Sequence, residues 1–135
     1  FIGIHNNGMY GFYHSIFQEK GKTHYLLTTQ FEAANARAAF PCFDEPVFKA
    51  TFDVSFIVNK DLFTISNMPI KKETLLPKEK KQVSFYTSPK MSTYLLYLGI
   101  GNFKSLSTKL RHLDFLKLFL VLVRAIRRFI FSCCF

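Results

Sequence analysis

Tryptophan is absent from this 135-residue chain, and acids are scarce, nine Asp and Glu against eighteen Lys and Arg. Cysteine is nearly as rare. Cys42 stands alone and Cys133 and Cys134 are adjacent, so three cysteines show neither disulfide nor metal-ligand spacing. This excludes a disulfide scaffold and a cysteine-built metal knuckle, and it leaves Cys42 as an expected buried free thiol. The four histidines are scattered at 5, 14, 24 and 112. No Ser–His–acid motif accompanies Ser92, Thr93 or Tyr94, so a strand start is expected there rather than a nucleophile. Long hydrophobic runs are also missing. The longest is Leu118–Val123, far short of the ~18 residues of a spanning helix. The chain opens on Phe1 with no charged segment and cleavage site, so no signal peptide is visible, and a start inside a longer reading frame is expected.

The surplus of positive charge is unevenly placed. Residues 1–103 hold eleven Lys and Arg against eight acids, while residues 104–135 hold seven against one. Six of the nine net positive charges therefore sit in the last quarter. A basic chain invites nucleic acid as a partner. In the first 103 residues, however, basic clusters occur only at Lys71-Lys72 and around Lys78, Lys80 and Lys81, which read as solvated loop. Nucleic acid is rejected as a partner.

What is abundant is phenylalanine, seventeen residues, in a pattern of short strands. Ala50, Phe52, Val54, Phe56 and Val58 alternate with Thr51, Asp53 and Ser55, the period of a half-buried strand. Residues 24–30, 63–66, 82–87 and 93–100 are further candidates, separated by turn signals at Asn59-Lys60-Asp61 and Asn67-Met68-Pro69. A short helical turn is plausible only over Ala33–Ala39, and Pro41 and Pro46 bracket a rigid loop. Phe31, Phe40, Phe43, Phe48 and Phe52 are expected in the core. The pattern predicts an all-β, antiparallel sandwich or saddle-like domain over 1–103.

Within that domain, Gln30 and Glu32 lie two apart in extended chain, so both side chains share one face. A carboxylate beside a carboxamide suits an ammonium group. The Glu accepts a charge-assisted bond of roughly 1.5–3 kcal/mol, and the Gln sets orientation. Arg37 and Asp44 are expected to pair across the Pro41 loop as a structural ion pair. His14 and His24 read as ordinary strand or surface residues, and no metal site is expected in the chain.

The stretch TTQFEAANARAAFPCFDEPVFKATFD, from Thr28 to Asp53, resembles a fingerprint of the amino-terminal β domain of zinc aminopeptidases of the aminopeptidase N type, a group that includes tricorn-interacting factors. GFYHS at residues 11–15, ISNMP at 65–69 and SPKMSTYLLYLGIGNF at 88–103 agree in order. The resemblance implies a saddle of β-sheets lying over a catalytic domain. It also implies that Gln30 and Glu32 line the first specificity pocket and bind the amino terminus of a peptide substrate. Next to this pair the chain departs from the family, with Ala33-Ala34-Asn35 for a commoner Pro-Thr-Asp and Ala38 for a common Arg. The family holds its zinc through H-E-x-x-H. None of the four histidines opens that motif, and no G-A-M-E-N segment is present. The expectation is an amino-terminal domain of a zinc-dependent aminopeptidase that has no cofactor of its own, lacks its catalytic domain and is inactive alone. The expected location is cytoplasmic.

After Phe103 the resemblance stops. Residues 104–135 form a basic apolar tail with two readings. One is a non-native product of a shifted reading frame or truncation. The other is a basic amphipathic helix near 113–131, with Asp114, Lys117, Arg124, Arg127 and Arg128 on one arc, tethering a stand-alone β interaction module to a membrane surface or partner. The first is favoured, and a membrane partner is not expected.

Overall fold

The computed structural model describes residues 3–5 and 7–102, and, as backbone, 104–106 and 120–122. The chain forms an antiparallel all-β architecture, as its alternation predicts. Strands β1 (Gly11–Glu19) and β2 (Lys22–Gln30) make a long hairpin, with Glu19 opposite Lys22. Lys20 and Gly21 turn it with φ of 49° and 74°. Positive φ at both positions is what a two-residue hairpin turn needs to match strand twist.

The first sheet has the order β1-β2-β7-β4, with β4 at Phe63–Ser66 and β7 at Leu98–Gly101. Gly99 on β7 lies between Thr28 on β2 and Ile65 on β4. The second sheet has the order β3-β6-β5, formed by Ser55–Asn59, Lys80–Phe85 and Ile70–Leu76. Two further short strands, β8 (Lys104–Leu106) and β9 (Leu120–Leu122), pair with each other. The amphipathic helix read over 113–131 lies outside the described residues except for Leu120–Leu122, which are extended. His112, Cys133 and Cys134 also lie outside them.

Three readings of local structure are corrected. Lys71 and Lys72 are not loop but part of β5, and Lys80 and Lys81 belong to β6. All but the last residue of β5 is exposed, so backbone pairing to β6, with an added Lys81–Glu73 ion pair at 3.2 Å, holds it rather than a buried face. The candidate strand over 93–100 begins as a 3-10 turn at Thr93–Leu95, and only Leu98–Gly101 is strand. Phe43 and Phe48 are exposed, not core.

The core gathers where the hairpin meets the loop after it. Phe31, Ala36 and Leu96 are buried, with Phe12, Phe40, Phe52 and Leu98 packed around them. The Phe31 and Phe40 rings meet edge to face at 6.0 Å, and Phe40 meets Phe52 at 6.3 Å. Burying a side chain such as Phe31 is worth about 1.5–3 kcal/mol. In the second sheet Val83 and Phe85 are buried, with Phe56 edge-on to Phe85. Between the two regions, Phe85 N donates to Val54 O, Ser88 N to Phe52 O, and Phe52 N to Ser88 Oγ.

Candidate functional site

Gln30 is the last residue of β2, opposite Gly11, and the chain leaves the sheet at Phe31. Phe31 is 2% exposed, while Gln30 and Glu32 on either side of it are exposed. The extended geometry expected to place both on one face ends at Gln30, because Glu32 already lies in the turn that follows, yet both residues are exposed on either side of the buried ring. Among the described residues no hydrogen bond or ion pair engages the Gln30 or Glu32 side chain. Below them the backbone is held: Asn35 N donates to Phe31 O at 2.8 Å, and Asn35 Nδ2 to Glu32 O at 3.0 Å. The Glu32–Ala33 peptide is cis.

The next segment supports that turn. A 3-10 turn at Ala36–Ala38 buries Ala36 fully, and the small side chains of Ala36 and Ala39 let the backbone lie against the core. Arg37 and Asp44 do meet. Asp44 Oδ2 accepts from the Arg37 backbone N–H at 3.0 Å and from Arg37 Nε at 3.4 Å. Arg37 Nη2 in turn donates to the Asp44 carbonyl at 3.1 Å. The second carboxylate oxygen, Oδ1, accepts from Thr93 Oγ1 at 2.7 Å.

Asp44 is buried with φ of 52°, a left-handed conformation that Asp tolerates better than most residues. Burial pushes its carboxyl up, but the Arg37 backbone N–H, the Thr93 hydroxyl and the Arg37 guanidinium outweigh it, so the group titrates below the usual carboxylate value. Cys42, expected to be buried, is a free thiol only half-buried, and burial and the Asp44 charge push its thiol up. It is thus a poor nucleophile.

Thr93 is the residue of this group that sequence reasoning placed elsewhere. It was expected to start a strand, yet its side chain is buried against an acid 49 positions away. No local signal announces such a contact.

Among the described residues no group of three His, Cys, Asp or Glu side chains fits a metal ion. A shallow concavity of about 300 Å³, lined by Thr23, Tyr25, Leu27, Leu62 and Ile100 among others, lies near the start of β2. Neither Gln30 nor Glu32 lines it; its nearest β2 residue, Leu27, is three positions from Gln30, roughly 10 Å along the strand. No described helix is long and apolar enough to cross a membrane.

Comparison with known proteins identifies the family of this domain. A family model described as the Peptidase M1 N-terminal domain matches residues 1–95. Over 111 residues the chain is 46% identical to the puromycin-sensitive aminopeptidase of Caenorhabditis elegans, covering 81% of this chain and 12% of that protein. It is 50% identical over 106 residues to the alanine/arginine aminopeptidase of Saccharomyces cerevisiae, covering 77% and 12%. Over 99 residues it is 46% identical to the tricorn protease-interacting factor F2 of Thermoplasma acidophilum, covering 73% and 12%. The chain thus spans about an eighth of the length of these relatives.

Proposed function

The chain belongs to the Peptidase M1 N-terminal domain family, and from that premise we propose that Gln30 and Glu32 hold the α-ammonium group of a peptide in a complete aminopeptidase. The observation that carries this reading is the exposed pair flanking buried Phe31, with neither side chain engaged by another described residue. Polar groups without an internal task, presented from a rigid anchor, are available to a ligand. A peptide amino terminus has a pKa of about 7.7–8, so it is mostly cationic at neutral pH and complements Glu32. Gln30 supplies a carbonyl acceptor that directs the amine. Anchoring the amine sets which peptide bond is presented for cleavage, and so makes the reaction an exopeptidase one.

The family is generally zinc-dependent, and such a metal activates water and polarises the scissile carbonyl. The described residues do not fit it, so no chemical step is assigned to this chain, which alone hydrolyses no peptide. The family model covers residues 1–95, and an alignment that spans 81% of the chain runs past residue 103.

The test uses a chimaera in which residues 1–95 replace the corresponding domain of the S. cerevisiae alanine/arginine aminopeptidase. Glu32→Gln is expected to raise KM for an aminoacyl amide by about 10-fold or more, the equivalent of a lost charge-assisted bond. Gln30→Ala should raise it less. An unchanged KM in Glu32→Gln would sink the reading.

A further inference from the structure

The chain contains six asparagines, and glycine follows only one of them, Asn7. An asparagine carboxamide lies within reach of the next residue's backbone nitrogen, and a side chain on that residue crowds the approach. Glycine has none, and it leaves the backbone free to adopt the torsions the approach needs. The structure separates Asn7 from the others further. Asn35 Nδ2 donates to Glu32 O at 3.0 Å, and the Asn67 amide bridges Leu95 O and Tyr97 N, both at 2.8 Å. Asn59 and Asn102 precede the bulky Lys60 and Phe103. Asn7 is exposed on a bend, and among the described residues no hydrogen bond engages its side chain. Among the same residues the Gly8 N–H has no partner either.

The bend belongs to a closed loop. The His5 and Phe12 rings meet edge to face at 5.2 Å, so the chain returns on itself between them. Gly11, with φ of 68°, then turns it into β1 opposite Gln30. The Tyr10 ring fills the space beside Gly8, where a Cβ would meet its Cε1 at 2.6 Å. The packing of the loop thus favours glycine at the position where glycine exposes the Asn7 amide to attack.

We infer that Asn7 is a site of spontaneous deamidation and isoaspartate formation. The Gly8 nitrogen gives up its proton and bonds to Asn7 Cγ, the Cγ–Nδ2 bond breaks, and ammonia leaves carrying a proton. The product is a five-membered succinimide closed between the two residues. Water then opens the ring at either carbonyl. Breaking the new Cγ–N bond returns an ordinary aspartate. Breaking the backbone C–N bond gives isoaspartate, whose main chain runs through Cγ. Nothing is oxidised or reduced, and water is the only co-reactant. Each product carries a carboxylate in place of a neutral amide, and isoaspartate adds one carbon to the backbone between His5 and Phe12. The isoaspartyl carboxylate is a substrate for an S-adenosylmethionine-dependent methyltransferase. This inference does not depend on the role of Gln30 and Glu32.

The experiment incubates the full chain in neutral to mildly alkaline buffer, native and unfolded in guanidinium, and follows each asparagine by peptide mass spectrometry. Methyl transfer from S-adenosylmethionine by an isoaspartyl methyltransferase measures the rearranged product. Asn7 is expected to gain about one mass unit, at a native rate within tenfold of the unfolded one and rising with pH. Asn35 and Asn67 should stay unchanged in the native chain over the same time. Gly8→Ala should slow conversion at least tenfold, and the half-exposed Tyr10 ring has room to swing aside for it. Asn7→Gln should abolish both the mass gain and the methyl transfer at this peptide. Native conversion more than tenfold slower than unfolded would overturn the inference, because the loop would then hold the amide away from the Gly8 nitrogen. Mass gain without any methyl acceptance would also overturn it, since direct hydrolysis would replace the succinimide.

Discussion

Asp44 holds Arg37 by its backbone more closely than by its side chain, at 3.0 Å from the amide nitrogen against 3.4 Å from Nε. The two partners are also unequal in burial, with the Arg37 side chain 56% exposed and the Asp44 side chain 1%. The contact therefore acts as a buried carboxylate that ties off a turn, with an exposed guanidinium laid across it. An exposed partner of this kind adds little.

Unequal stability costs are the first expectation. Asp44→Ala leaves the Arg37 amide and the Thr93 hydroxyl without their acceptor and puts a Cβ-only residue at positive φ, for about 2–4 kcal/mol. Arg37→Ala keeps both buried bonds to Asp44 and should cost about 0.5–1.5 kcal/mol. Urea unfolding of the two variants measures the difference. Equal losses would contradict the turn-tying role.

Acid sensitivity follows from the same carboxyl. Its folded pKa is depressed, so its contribution is fully present above the unfolded value of about 3.9 and is lost as pH falls through the lower folded value. Asp44→Asn should be less stable than the parent chain at pH 6. That gap should close as pH is lowered from about 5 towards 2, read as melting temperatures across the series. A gap independent of pH would show that the Asp44 charge does not matter.

Gly99 marks the tightest approach in the first sheet. A Cβ there would meet Ile65 Cγ2 at 2.6 Å and the Tyr97 hydroxyl at 3.2 Å. Gly99→Ala should cost about 1–3 kcal/mol by overpacking. The cost should shrink by about 1 kcal/mol or more in an Ile65→Ala background, because contacting residues couple. Additive losses in that double-mutant cycle would remove Ile65 as the cause.

Some of this molecule was legible before any fold was known. Phe52, Val54, Phe56 and Val58 are more buried than Thr51, Asp53, Ser55 and Ile57, as the alternation predicts, although Ala50 of the same set is exposed and the strand itself begins only at Ser55. That signal survives because a half-buried strand writes its own environment into every second residue. β5 was illegible for the opposite reason, since its side chains are almost all exposed and only backbone pairing defines it. Phe43 and Phe48 misled because apolar character alone does not require burial, and much of a folded protein's surface is apolar.

By itself, then, the sequence determined the all-β class, the family fingerprint around Gln30 and Glu32, and the absence of an H-E-x-x-H motif. These depend on residue identity and short-range spacing, which are fixed along the chain. Only the tertiary structure decided that Thr93 completes the Asp44 site from 49 residues away, that Phe31 between Gln30 and Glu32 is buried in the core beside Ala36 and Leu96, and that Phe43 and Phe48 are exposed. Each of these depends on which distant segments come into contact. Sequence periodicity carries no information about such contacts, because it reports a residue's surroundings only along its own strand.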